Sequence, residues 1–309
     1  MSQTRPSPLV FRMRLLTFVP PDRSVARVGL LSRDGTRVVD LTAIGIEDMF
    51  DALAQAPRLR RVGAHLVHAP GALAYRTADV ELLAPLPVAR TAWARAESVT
   101  AARRAERGGG RALAIVSDAT PPEVDYADPM PLLGPGAAVE ADGPLAALDF
   151  GVACVMSGAG DAGWATRDPE QGVAGYCGVL RWAAPRMGGA LARGAALGPW
   201  LVTPDDLADR RSGPVAHDLS VALAVNGVER YREERGAERQ PRLARLIAAA
   251  AGAFTLRAGD VLCPVRAARP GTGGELPGPR DEVVLHIERL GALSLRVTPA
   301  ATDPVAKGE

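Results

Sequence analysis

The feature that most constrains this chain is an apolar run over residues 146–157, in which Asp149 is the one charged side chain. Such a run reads as a β-strand. Shorter β-rich runs lie before it, at 13–19, 26–31 and 37–41, and Asp34-Gly35 between the last two marks a hairpin turn. Residues 45–55 carry Ile46, Met49, Phe50 and Leu53 at helical spacing. Residues 80–87 read as a strand running into a proline-stopped linker. These pieces predict a small N-terminal α/β domain over residues 1–87.

Residues 91–107, rich in Ala, Arg and Glu, read as a helix halted by Gly108-Gly109-Gly110. The chain then looks loop-like as far as Gly136, with Asp118, Asp125 and Asp128 as turn formers among prolines. Residues 172–184 form a short apolar element. At 203–207, Thr203 is placed to cap a short helix with Pro204 in its first position. Leu219, Val221, Leu223 and Val225 alternate up to Asn226-Gly227, and 228–233 resumes the strand, a strong hairpin signal. An amphipathic helix follows at 239–254, then a strand from 256, a Gly/Pro loop at 269–280, and a β pair, 283–287 with 293–297. Residues 300–309 read as a disordered tail.

Composition excludes several function classes. The formal net charge is +1 and the basic residues are scattered, so no field recruits nucleic acid or an anionic membrane. Lys307 is the only lysine, which leaves the folded part without a Schiff-base or phosphate-gripping lysine. Cys154, Cys177 and Cys263 are too far apart for a CxxC knuckle and odd in number, which points to a reduced cytoplasm. Residues 1–8 lack a signal-peptide core, and the longest apolar run, near 246–254, is about half a membrane span.

Five segments together resemble the fumarylacetoacetate hydrolase family: Leu148-Asp149-Phe150, Val173-Ala174-Gly175-Tyr176, the stretch 197–203, Val225-Asn226-Gly227, and 255–261. They fall in the family's order and at about its spacing. The resemblance covers roughly residues 13–297. It implies an α+β fold, a mixed β-roll of packed sheets with peripheral helices, with the small domain at 1–87 and the family-like domain at 88–299. It also implies a homodimer, and hydrolysis or decarboxylation of β-diketo or 2-oxo acids with Mg²⁺ or Ca²⁺ held by carboxylates.

The departures from that pattern carry the functional reading. The family strand places two glutamates at alternate positions, which puts both oxygen donors on one face. Those positions are Gly151 and Ala153 here. The ligand aspartate after the Gly-Tyr motif falls on Arg181, the glutamine after Val-Asn-Gly on Tyr231, and a Thr-Gly-Thr-Pro segment on Cys263-Pro264-Val265-Arg266. The expected histidine segment, near 91–107, has no histidine. Arginine offers a metal no lone pair and repels it, so no metal and no cofactor are expected.

Arg181 and Tyr231 are the candidate catalytic residues. Arg181 either takes the place of the lost cation and receives a carboxylate, enolate or carbonyl oxygen, or it turns outward to solvent or pairs with a surface acid. Tyr231 either donates into the pocket or stands exposed in Arg230-Tyr231-Arg232. Trp182, Tyr176, Cys177, Cys263, Arg266 and Thr272 are the candidate substrate-binding residues, with competing structural roles for Trp182, Tyr176 and the two thiols. Gly271-Thr272-Gly273-Gly274 lacks the lysine and helix of a phosphate loop and reads as a lid or turn. His217 reads as a surface turn residue and His286 as structural.

The leading expectation is a metal-independent enzyme of specialised, natural-product metabolism. It would cyclise, isomerise or rearrange an enol, β-dicarbonyl or polyketide-like small molecule by orientation and preorganised donors. One alternative is a pseudoenzyme that binds a small molecule or partner subunit. Another is an ordinary Mg-dependent diketo-acid hydrolase with a site shifted onto Glu140, Asp142 or Asp149.

Overall fold

The computed structural model describes residues 12–22, 25–68, 73–86, 113–116, 124–126, 132–158, 163–234, 241–253, 255–267 and 275–300. The expected helix at 91–107, the glycine turn with Thr272, and the tail at 301–309 lie outside the described residues.

The first strands are β1 (Arg14–Val19), β2 (Arg27–Leu31), β3 (Arg37–Asp40), β4 (Ala74–Arg76) and β5 (Glu81–Leu83). Next come β6 (Leu113–Val116), β7 (Val124–Tyr126), β8 (Leu132–Leu133) and β9 (Ala137–Ala141). The long central strands are β10 (Ala147–Ser157), β11 (Val173–Pro185) and β12 (Leu191–Val202). The remainder are β13 (Arg211–Gly213), β14 (Ala216–His217), β15 (Val221–Val225), β16 (Val228–Glu233), β17 (Ala258–Ala267), β18 (Glu282–Ile287) and β19 (Gly291–Pro299). The α-helices are α1 (Met49–Ala54), α2 (Ala56–His68), α3 (Trp164–Arg167) and α4 (Pro241–Ala253).

Among the described residues, twelve strands share one sheet in the order β4-β3-β2-β1-β12-β11-β10-β17-β6-β7, with β5 on β1 and β8 on β12. A second, five-stranded sheet runs β16-β15-β18-β19-β9. This is an α+β fold of packed sheets with peripheral helices. None of the described helices is long and apolar enough to cross a membrane.

The expected local signals are present. Asp34-Gly35 turns β2 into β3, and Gly35 has a φ of +75°. Asn226 and Gly227, at φ 51° and 76°, join β15 to β16, which is the mirror-image turn that hairpin twist favours. Helix α1 begins at Met49, capped by the Asp48 side chain accepting from Asp51 N–H, and buries Met49, Ala52 and Leu53.

Three expectations need correction. The segment read as loop before Gly136 contains β6, which pairs in parallel with β17, β7 beside it, and β8, which pairs in parallel with β12. The short apolar element at 172–184 is the 13-residue strand β11. Thr203 does not cap the 3₁₀ turn at Pro204–Arg210 with its side chain. Its hydroxyl instead accepts from the Met13 N–H at 3.1 Å and reaches the Met13 carbonyl at 3.2 Å, tying the chain's first strand to the end of β12.

Strands β10, β11 and β12 are buried on both faces, and the core is accordingly double. One cluster fills the space toward the five-stranded sheet and α4. It takes Leu148, Phe150, Cys154 and Met156 from β10, and Leu223, Leu285 and Leu295 from the opposing strands. The other packs Ala153, Val155, Cys177, Val179 and Leu197 against Leu15 and Leu30 of the first strands and Met49 and Leu53 of α1. Alternation along the regular parts of these strands divides the residues between the two clusters, with Val173 at the irregular start of β11 the exception.

Candidate functional site

The second of these faces carries the positions where the resemblance places metal ligands. β10 and β11 run antiparallel, in continuous register from Ala147 to Val155, with Asp149 opposite Arg181, Gly151 opposite Val179, and Ala153 opposite Cys177. On the far side of β10, Gly151 pairs with Val265 and Asp149 with Ala267 of β17. On the far side of β11, Arg181 pairs with Ala195 of β12. The three rows grade from buried apolar to charged. Ala153, Cys177, Val179 and Cys263 are fully buried. The last row carries an ion pair.

That pair is the chemical centre of the face. Arg181 Nε donates to Asp149 Oδ2 at 2.6 Å, and Nη2 closes on the same oxygen. The Arg181 side chain is 28% exposed and that of Asp149 10%. The arginine is therefore neither sunk in the core nor turned away to solvent, and a carboxylate fixes the plane of its guanidinium. A half-buried pair of this kind is screened less than a surface pair. It contributes orientation more than stability.

The donor set at the family's ligand positions does not suit Mg²⁺ or Ca²⁺. Gly151 has no side chain, Ala153 a methyl group, and Arg181 a cation, whereas hard divalent ions take oxygen ligands. Among the described residues, no three His, Cys, Asp or Glu side chains converge as a metal cluster. Two of the three carboxylates of the shifted-site alternative are engaged by arginines. Glu140 Oε2 accepts from Arg186 at 2.9 Å, and Asp149 accepts from Arg181.

The structure brings Arg181, Cys177 and Cys263 to one face and puts Trp182, Tyr176 and Tyr231 on the opposite one. Trp182 is buried across Gly194, where an added Cβ would fall 2.2 Å from its ring. Tyr176 belongs to the same core cluster as Trp182. Tyr231 packs edge-on to Phe150 with centroids 5.0 Å apart, and its hydroxyl donates to Glu233 at 2.7 Å. Within one chain Arg181 and Tyr231 therefore lie on opposite faces of β10 and β11. The Arg266 backbone pairs with Phe150. Thr272 lies outside the described residues.

The thiols on this face are chemically quiet. Burial pushes Cys177 up to about 12 and Cys263 well above its ordinary value, the latter opposed by the Arg181 charge. A protonated thiol is a poor nucleophile. On the opposite face, His217 is buried rather than at a surface turn. Its ring lies 4.7 Å from that of Tyr176, and burial first, then the Arg211 charge, push it down to about 4. Nearby, burial raises the Glu170 carboxyl against the opposing charge of Arg211, its ion-pair partner.

The partnership of Asp149 with Arg181 is the feature of this face that the sequence does not reveal, since the sequence shows Asp149 only as part of a motif or as a displaced metal ligand. Its partnership with Arg181 depends on strand register across 32 positions. The available signal was its isolation: it is the only acid on β10, β11 and β12.

Comparison with known proteins agrees with this architecture. Residues 116–298, well over half of the chain, match the fumarylacetoacetate (FAA) hydrolase C-terminal family. The chain belongs to the fumarylacetoacetate hydrolase family. Among solved structures, it resembles maleylpyruvate hydrolase from Sphingobium sp. SYK-6 in complex with manganese(II) and pyruvate. The TM-score is 0.65 at 20% identity, covering 94% of this chain and 100% of that one. It also resembles 2-hydroxyhepta-2,4-diene-1,7-dioate isomerase from Mycobacterium marinum, at TM-score 0.61 and 19% identity over 94% and 100%. Fumarylacetoacetate hydrolase from Exiguobacterium antarcticum gives TM-score 0.59 and 19% identity over 93% and 99%. At these identities the likeness establishes the fold. No curated protein sequence matches the chain.

Proposed function

We propose that this protein is a metal-independent member of its family, in which Arg181 receives an oxygen of a small carbonyl compound that a divalent ion would otherwise hold. The observation that carries the reading is the placement of the Arg181 guanidinium. It stands at a family ligand position, oriented by Asp149, at the edge of a face stripped of other charge. A fixed cation in a partly dry setting stabilises a developing enolate and needs no reorganisation during reaction. Isomerisation, cyclisation or rearrangement of an enol or β-dicarbonyl substrate needs that and no metal-bound water. The isomerase and the pyruvate-bound hydrolase among the similar structures support a small oxo compound as ligand. The same reading takes the chain as a cytoplasmic homodimer in specialised metabolism, with residues 1–87 forming a smaller unit on 88–299.

One observation favours a second reading. Ala153, Cys177, Val179 and Cys263 beneath the ion pair are fully buried, which suits a protein that binds without reacting. Metal analysis and calorimetry with acetylpyruvate separate the readings. The first expects no stoichiometric metal, binding undiminished by EDTA, at least a tenfold weaker Kd for Arg181→Met, and conversion of the probe. The second expects the same binding with no conversion of any carbonyl probe. Stoichiometric Mg²⁺ or Mn²⁺, or binding that requires them, would overturn both.

A further inference from the structure

Building on the reading of Arg181 above, we infer that Asp149 is the proton-carrying residue of this site, and that its substrates bear an acidic C–H next to a carbonyl. Three observations lead there. Asp149 is the only acidic side chain on the three central strands. Both contacts from Arg181 fall on Oδ2, and no hydrogen bond from a described residue reaches Oδ1. The two residues are direct cross-strand partners. Their Cβ atoms are therefore about 5 Å apart, on the scale of a single H–C–C=O unit.

The step balances without a co-reactant. Oδ1 of Asp149 takes the proton from the carbon beside the carbonyl. The C–H electron pair becomes the C=C bond of the enolate, and the carbonyl π pair moves onto the oxygen facing Arg181. Protonated Asp149 then returns the proton to the oxygen, giving the enol, or to a conjugated carbon, giving the shifted isomer. The guanidinium is neutralised throughout, first by the carboxylate and then by the enolate. Negative charge passes from one oxygen to another under the same cation, so no uncompensated charge forms in a partly buried place. The pair has no net charge, which selects neutral or singly charged carbonyl compounds over dianions.

Enolic phenylpyruvate is a suitable probe. Its ketonisation is followed by ultraviolet absorbance, and exchange of its β-protons in D₂O by NMR. The wild-type protein is expected to accelerate both. Asp149→Asn should lower the turnover rate by about 10²-fold or more while Kd stays within about threefold, the pattern for loss of a general base. Asp149→Glu, with the carboxylate one methylene further out, should recover part of the rate. If Asp149→Asn does not fold, Asp149→Glu carries the test, since it must slow exchange without weakening binding. Wild-type exchange in Asp149→Asn, alongside lost binding in Arg181→Met, overturns the role of Asp149 and leaves that of Arg181. Arg181→Met that binds and exchanges like wild type overturns both, as does a wild-type protein that does not bind the probe. Binding without any acceleration overturns the proton-transfer inference alone.

Discussion

Acidifying the protein forces a proton onto a ring that the fold keeps neutral. His217 on β14 is buried beside Tyr176 and pushed down to about 4 from an ordinary 6.5, by burial first and by the Arg211 charge second. The unfolded chain takes up this proton near the ordinary value, and the folded chain does so only near 4. Between those values the unfolded state binds more protons, so stability falls as the pH falls. The two values give a differential of about 2 kcal/mol at pH 5 and about 3 kcal/mol at pH 4. A His217→Phe variant keeps an aromatic edge against Tyr176 and takes no proton. Urea unfolding of both proteins at pH 7, 5 and 4 isolates the histidine, because Glu170 and the other carboxylates titrate in both and cancel in the difference. Wild type should lose about 3 kcal/mol more than the variant by pH 4. Parallel pH dependences would refute the reasoning, since the ring would then be protonated equally well in the folded state.

Two further outcomes follow from packing. In Gly172→Ala the new methyl would fall 2.1 Å from Trp164 Cζ3, so the indole must move, at a cost of about 1–3 kcal/mol. Calorimetric melting reads this directly, and an unchanged Tm would mean the ring has room to spare. The three cysteines are all buried with thiols held protonated, so the native protein should resist Ellman's reagent and show three reactive thiols in guanidinium. Rapid labelling of Cys177 or Cys263 without denaturant would show that the candidate face opens.

Local features were legible in the sequence where short-range chemistry decides. Asn226-Gly227 and Asp34-Gly35 are hairpin turns because glycine and asparagine tolerate positive φ. Ile46, Met49 and Leu53 line one side of the α1 region because only helical spacing brings them together. Long-range pairing was not legible. β11 is apolar on both faces, so it has no alternation to show its length. β6 and β8 are strands by virtue of parallel partners far along the chain. Tyr231 was given to the pocket because spacing places a residue on a hairpin but not the hairpin on a face. His217 looked like a turn residue since nothing nearby in sequence announces Tyr176 above it. At the site, the missing carboxylates and Arg181 could be read from residues alone, whereas the salt bridge that orients Arg181 needed strand register.

The sealed row containing Ala153 bears on metal binding as much as on the chemistry. A single Ala153→Glu change would restore one carboxylate at a family ligand position. It would do so among Cys177, Val179 and Cys263, buried side chains that carry no charge to pair with it. An unpaired charge buried in such a place costs several kcal/mol, a large share of the roughly 5–15 kcal/mol that holds a typical protein together. Gly151→Glu alone restores too few donors, and the Arg181 charge repels a metal bound beside it. On the proposed reading, each such single substitution costs stability before it supplies a usable ligand set, so metal binding on this face would demand several substitutions at once.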